Sequence, residues 1–384
     1  MVARTVAMDR MMAQTRNMPV SETLDTASSP SLGAPGAPSA SNSAAAPLVA
    51  ASPSSSPVER GRYALNRRRR AFDLVLEYGI MVVLAILIVY FGVQSPYFFT
   101  LENAANIGSA VAVTGILAAG LTVALIAGQL DLTVGTVMGM TTTIFATLTV
   151  LDHTSLLAAI AVAVGAGLAL GLVNGVLVVN FGINSIIATI ATNQFVLGVS
   201  LVTPTPHGQN VFLTDQTFQT LTNARPLGIP APVLVMAVVY LLLYVLLVHT
   251  KLGSHLYATG GNASAALRAG IPVTLLYRLV FLLTAVLAVL AGFIVLGRAG
   301  LGGPQVGTDV NTFDALTGVL LGGIGLSGGS GRLERTLAGV LLIGVLENGM
   351  TLVNVDSFFQ TMVRGAVLVF AVVLGAINVK RKAR

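Results

Sequence analysis

Ten apolar stretches, each near the ~20 residues that a bilayer's hydrocarbon core requires, dominate this chain. They run over 75–94, 106–128, 132–151, 156–181, 183–202, 232–249, 275–297, 312–326, 336–354 and 358–379. Hydrophobic residues make up 54% of the chain and charged residues only 9%, against roughly a quarter charged in soluble domains. The reading is an all-α polytopic membrane protein of about ten transmembrane helices. Gly and polar residues crowd the ends of the third and eighth stretches, which leaves full and re-entrant spans both open there. A broken span is tolerated in lipid only when protein shields it.

Charge sets the orientation. Residues 1–70 hold nine Lys/Arg against four Asp/Glu, a net of +5, and Lys380–Arg384 adds +4, so the region between is net −3. The basic ends read as membrane-orientation signals rather than a nucleic-acid surface. Arg60, Arg62 and Arg67–Arg70 stand directly before the first apolar run, which places that end in the cytoplasm. An even count of spans then returns the C-terminus to the same side. On this topology Lys251, Arg268, Arg332 and Arg335 fall inside, whereas Arg225 and Arg298 fall outside as exceptions.

Two domains follow: a disordered Ala/Ser/Pro-rich cytoplasmic tail over 1–70, ending in the Arg cluster, and a transmembrane domain over 71–384. The tail holds too few large apolar residues to offset the entropy of ordering, and it lacks the compact apolar core of a signal peptide.

Several chemistries are excluded. There is no cysteine, so thiolate and disulfide chemistry are absent. The four histidines, His153, His207, His249 and His255, show no ligand pairing, and no metal site is expected. Gly323–Gly328 fits G-x-G-x-x-G and Gly325–Gly329 fits G-x-S-x-G, but both lack the strand and helix such motifs need. The lysines are Lys251, Lys380 and Lys382, none following Gly, so the chain carries no phosphate-binding P-loop. It is read as a non-enzyme without a cofactor of its own.

Small residues recur at helical spacing. Gly167, Gly171 and Gly175, and also Gly135 and Gly139, repeat every fourth position, as rows that let helix backbones approach. A weak internal echo pairs Gly128–Gly135 with Gly322–Gly329, and Asn174-Gly175 with Asn348-Gly349. The ten-span topology runs the second pair in opposite directions, so one match is chance or a span is miscounted. Transporters often carry such repeats.

The stretch His249–Pro272 is polar and cationic between two apolar runs. Within it, Gly261–Arg268 reads as a short cytoplasmic helix, capped by Asn262 or Ser264 and ended by Gly270 and Pro272. It is either a plain connector, a lipid-binding basic segment, or a contact for something in water. Intramembrane polar residues are the other candidates, because burying charge there is costly. They are Gln129, Asp131, Asn174, Asn193, Glu347, Asn348 and Arg364. Glu347 and Arg364 share a depth and suit a structural ion pair or a substrate contact; Gln129 and Asp131 suit structure or pathway equally. Asp309 and Asp314 flank the eighth span. Acids near span ends, rather than deep within them, argue mildly against proton- or sodium-coupled transport.

At this point an ordered series of segments resembles one family. SPYFFTLENAANI (95–107), GILAAGLTVALIAGQLDLTVG (115–135), TKLGSHLYATGGNASAALRAGI (250–271) and LTGVLLGGIGLSGGSGRLERTLAGV (316–340, continuing to 369) are similar to the permease subunit of bacterial ABC importers of the ribose/xylose monosaccharide type. The resemblance implies a permease subunit forming the pathway for a small polar solute, most simply a monosaccharide, in the bacterial cytoplasmic (inner) membrane. It implies a second permease copy (homodimer or heterodimer), a cytoplasmic ATP-binding subunit on a separate chain, an extracytoplasmic solute-binding protein, and surrounding membrane lipid. It assigns coupling to the ATPase to Gly260, Gly261, Asn262, Ala265, Ala266, Arg268 and Gly270. Gln129, Arg268, Ala269, Glu347 and Thr203–Pro206 depart from the family's usual residues, which leaves a related sugar, a polyol or an autoinducer-like molecule open as solute. The alternative reading is a stand-alone secondary carrier or facilitator.

Overall fold

The structure is a computed structural model that describes residues 79–202, 209–213, 216–306 and 309–382. The Ala/Ser/Pro-rich tail, its Arg cluster and Thr203–Pro206 lie outside these residues. The chain runs α1 (Gly79–Gln94), α2 (Leu101–Ile126), α3 (Val134–Ala146, prolonged by a π turn Thr147–Leu151), α4 (Leu156–Val179) and α5 (Ser185–Val202). There follow β1 (Val211–Phe212), α6 (Gln216–Thr222), α7 (Ala231–His249), α8 (Lys251–Gly261), α9 (Ala263–Arg268) and α10 (Val273–Ala299). The chain closes with β2 (Leu301–Gly302), α11 (Asp309–Leu321), α12 (Leu333–Leu352) and α13 (Ser357–Lys382). Each of the ten predicted apolar stretches coincides with a helix. Among the described residues seven helices are long and apolar enough to cross a membrane; α1 and α11 are shorter, and α12 carries Glu334, Arg335 and Glu347.

Local chemistry sets the starts. Thr100, Ser155, Thr250 and Asn262 each turn a side-chain oxygen onto a backbone N–H three residues on, at 3.2, 3.4, 3.2 and 2.9 Å. These bonds satisfy donors that a helix start leaves orphaned. Pro230 and Pro232 open α7, where a missing N–H costs nothing. Gly300, at φ 66°, ends α10 in the left-handed conformation.

Packing then separates the helices. In α2, 83% of the apolar window is buried, in α4 22% and in α13 6%. α2 is therefore a central post, with every residue from Val111 to Ala127 except Thr114 in the core, and α10 packs across it. The predicted glycine row on α4 is the seam against α10. A methyl group at Gly171 would lie 2.7 Å from the Phe281 carbonyl oxygen, and one at Gly175 3.3 Å from the Arg278 Cα. Gly292 of α10 meets α3 as closely, 2.9 Å from the Met138 carbonyl.

One end of the bundle is closed by the antiparallel pair β1–β2, registered Val211 on Gly302 and Phe212 on Leu301. Beneath it Phe145, Phe218 and Phe293 cluster with ring centroids 4.7 to 6.4 Å apart. The opposite end carries the loops that follow α2, α8 and α11.

Candidate functional site: a glycine joint and two polar clusters

At the loop end, three glycine-bearing segments from distant parts of the chain meet backbone on backbone. The turn after α2 contributes Gly128, the last turn of α8 contributes Gly260 and Gly261, and the loop after α11 contributes Gly328 and Gly329. A methyl at Gly260 would overlap the Ile126 carbonyl oxygen. One at Gly328 would stand 2.8 Å from the Gly128 Cα, and one at Gly329 2.6 Å from the Gly261 Cα. The Gly329 N–H donates to the Ile126 carbonyl at 2.9 Å. Gly128, Gly328 and Gly329 also hold φ between 72° and 79°, the left-handed region that a side chain makes costly. The Tyr257 hydroxyl of α8 donates to the Gly331 carbonyl at 3.0 Å and fastens the same contact.

The arrangement corrects one reading of the sequence. His249–Pro272 is not a loop holding a single helix over 261–268. Lys251–Gly261 is a helix of its own, Asn262 interrupts it in extended conformation (φ −161°, ψ 97°), and Ala263–Arg268 follows. Gly260 and Gly261 therefore end a helix. Packing decides this against glycine's poor helix propensity: Gly253, Leu256 and Thr259 are buried on one face of α8. In α9 only Ala266 is buried; Ala265 and Arg268 are exposed, and Leu267 is 61% exposed. Gly270, at φ 82°, turns the chain toward α10.

A cavity of about 360 Å³ opens beside the joint, lined by Tyr244, Tyr257, Gly331, Arg332 and Glu334 among others. Burial pushes the Tyr257 hydroxyl above its ordinary pKa; Glu334 adds to the shift and Arg332 opposes it.

The predicted polar residues fall into two groups. In the first, the Asp131 carboxylate is 1% exposed. It accepts from the Thr133 backbone N–H at 2.9 Å and from the Thr133 and Thr284 hydroxyls. Thr133 accepts in turn from the Asn174 amide at 3.1 Å, and Asn174 accepts from Thr192 at 2.7 Å. Asn193 accepts from Thr136, and Ser185 accepts the Leu130 N–H at 3.2 Å. The network thus ties α3, α4, α5 and α10 together beneath the joint. Gln129 is half-buried and reaches Tyr277 rather than this network.

The second group lies toward the other end. Glu347 and Arg364 form an ion pair at 2.8 Å, with Asp314 at 3.8 Å from the same guanidinium. Asn348 exchanges amide hydrogen bonds of 2.8 and 3.1 Å with Asn103. Asp314 stands in the second turn of α11, not at its edge, because that helix starts at Asp309. Asn174 and Asn348, which echo each other in sequence, sit apart: one side chain lies beneath the joint and the other pairs with Asn103 near the start of α2. Gly128 and Gly328–Gly329 do meet at one end. Sequence reading missed Thr133, Thr136, Thr192, Thr284, Ser185 and Asn103. Their only signal is a hydroxyl or amide within an apolar run, which is common in bundles.

Residues 103–372 match the family described as branched-chain amino acid transport system / permease component. The chain is 35% identical over 302 residues to the ribose import permease protein of Escherichia coli (strain K12), covering 78% of this chain and 94% of that protein. It is 36% identical over 310 residues to the ribose import permease protein of Bacillus subtilis (strain 168), covering 80% and 96%. To the L-arabinose transport system permease protein of Escherichia coli (strain K12) it is 33% identical over 309 residues, covering 80% and 92%. No solved structure matches the chain. With a family match over 270 residues and relatives at 33–36% identity over most of its length, the chain belongs to this permease family, as the non-catalytic membrane-spanning subunit of an inner-membrane ABC importer.

Proposed function

We propose that the chain forms, with a second permease copy, the pathway by which a monosaccharide of the ribose, arabinose or allose kind enters the cell. An ATPase on separate chains drives it from the cytoplasm, an extracytoplasmic solute-binding protein supplies the sugar, and this chain needs no cofactor of its own. The basic flanks place both termini and the glycine joint on the cytoplasmic side.

The observation that carries the reading is the mounting of α9. This helix projects from the bundle with Leu267, Arg268 and Ala265 exposed, yet its base is locked against two other loops through Gly260 and Gly261. A protruding helix on a rigid base can pass the motion of a partner to α2, α3 and α12 without being absorbed by loop flexibility. Its apolar and cationic tip suits a cleft on an ATPase. The stand-alone carrier reading gives this helix no task.

The test is sugar uptake in vesicles with the ATPase and binding protein present. Leu267→Asp or Arg268→Glu should cut ATP-driven uptake at least about tenfold while membrane insertion and thermal stability stay unchanged, since neither side chain packs on the bundle. Uptake by the permease alone, driven by an ion gradient, would sink the proposal in favour of a secondary carrier.

A further inference from the structure

A helix face turned to lipid must be apolar, because hydrocarbon offers a polar group no partner. The exposed faces of three helices obey this. α1 shows Met81, Val82, Ile86 and Val89; α4 shows Val162, Leu168 and Leu172; α7 shows Val238, Leu241 and Val245. α5 does not. Gln194 is exposed on it and is the tenth of its eighteen residues, roughly 12 to 14 Å from either end at 1.5 Å per residue. Among the described residues no other exposed amide or charged side chain lies so deep in a long span, and the Gln194 carboxamide makes no hydrogen bond.

Its neighbours sharpen the contrast. Thr192 and Asn193 point inward, and each is bonded to another helix, Asn174 of α4 and Thr136 of α3. Gln194 points the other way. Ala191 and Gly198 sit one turn before and after it on the same stripe, and a methyl at Gly198 would meet nothing within 4 Å. Ala191 and Gly198 leave room against the amide, although Ile190 also lies one turn before it. α5 also borders α3, whose Met140 and Ile144 are half-exposed; α3 binds α11 through Gly135 and Thr312 at 3.0 Å.

We propose that Gln194 lines the aqueous solute pathway and hydrogen-bonds the hydroxyls of the passing solute. A carboxamide donates to one hydroxyl while accepting from another, which suits a polyhydroxylated molecule. The solute half of this assignment rests on the function proposed above; the placement of Gln194 in water does not.

The chain has no cysteine, so Gln194→Cys gives this chain a single thiol, and labelling is read on the band of this chain. A charged, membrane-impermeant methanethiosulfonate reagent reacts only with a thiolate in contact with water. Leu168→Cys, on the exposed apolar face of α4, is the control. The expected result in native membranes is modification of Q194C about tenfold faster than of L168C or more, slowed further by ribose with the binding protein present. Modification no faster than at L168C would overturn the proposal. So would resistance to the reagent combined with oxidative cross-linking to a second copy, which would assign a dry interface instead. Fast modification that ribose does not slow would remove the solute contact. Labelling is read separately from uptake, so a chain that labels but carries no sugar would fail the functional reading and leave the placement of Gln194 standing.

Discussion

Two devices hold the loop end of this bundle, and they share one short loop. On one side of residues 127–133, Gly128 meets Gly260 and Gly328 with no side chains between them. On the other, Asp131 and Thr133 reach Thr284 and Asn174 through side chains alone. Lipid gives helices no hydrophobic gain on meeting, so close backbone contact and polar bonds are the two attractions left. The glycine device is intolerant of any addition. The polar device is intolerant of any removal.

That contrast can be broken at either side. The largest effect is expected at Gly260→Val, whose side chain would collide with the Ile126 carbonyl. Monodisperse protein should vanish on size exclusion in mild detergent, and a well-behaved variant would mean the joint is slack. Asp131→Ala should come next, at about 3 kcal/mol of destabilisation, because it strands the buried Thr133 N–H and hydroxyl, whereas the Thr284 hydroxyl keeps the Phe281 carbonyl. Asp131→Asn keeps an acceptor and should recover part of that loss in thermal unfolding. An equal loss in both variants would show that charge, not hydrogen bonding, matters there.

Arg364→Leu sharpens the comparison at the opposite end. It leaves Asp314 and Glu347 facing each other without a cation. The side chains are about a quarter exposed or less, so the cost should be moderate, about 2 kcal/mol, and the double change with Glu347→Leu should be milder than the single one. The smallest effect is expected for Asn348→Ala, about 1 kcal/mol for two interhelical amide bonds. A larger loss there would mark the Asn103–Asn348 pair as more than local.

How far these features were legible in the sequence differs by kind. The glycine row of α4 could be read as a packing seam from spacing alone, but not that α10 fills it. Glu347 and Arg364 could be paired because both lie at one depth on consecutive spans. Asp314 could not join them until the start of α11 was known. Asp131 was open between structure and pathway; its burial and its bonds to Thr133 and Thr284 could be seen only in the fold. Gln194 drew no notice among the apolar residues of α5, because its exposure depends on which way that helix is turned.

The sequence by itself determined the class of fold, the number of apolar segments and the sites of the family's motifs. Lipid demands about twenty apolar residues per crossing, and charge at their flanks sets direction, so both are written linearly in the chain. Only the tertiary structure decided that Gly128, Gly260 and Gly329 touch, that Lys251–Gly261 is helical, and that Asp131 faces Thr284. These depend on contacts between residues up to some two hundred positions apart, and on burial that outweighs local propensity. No local pattern carries that information.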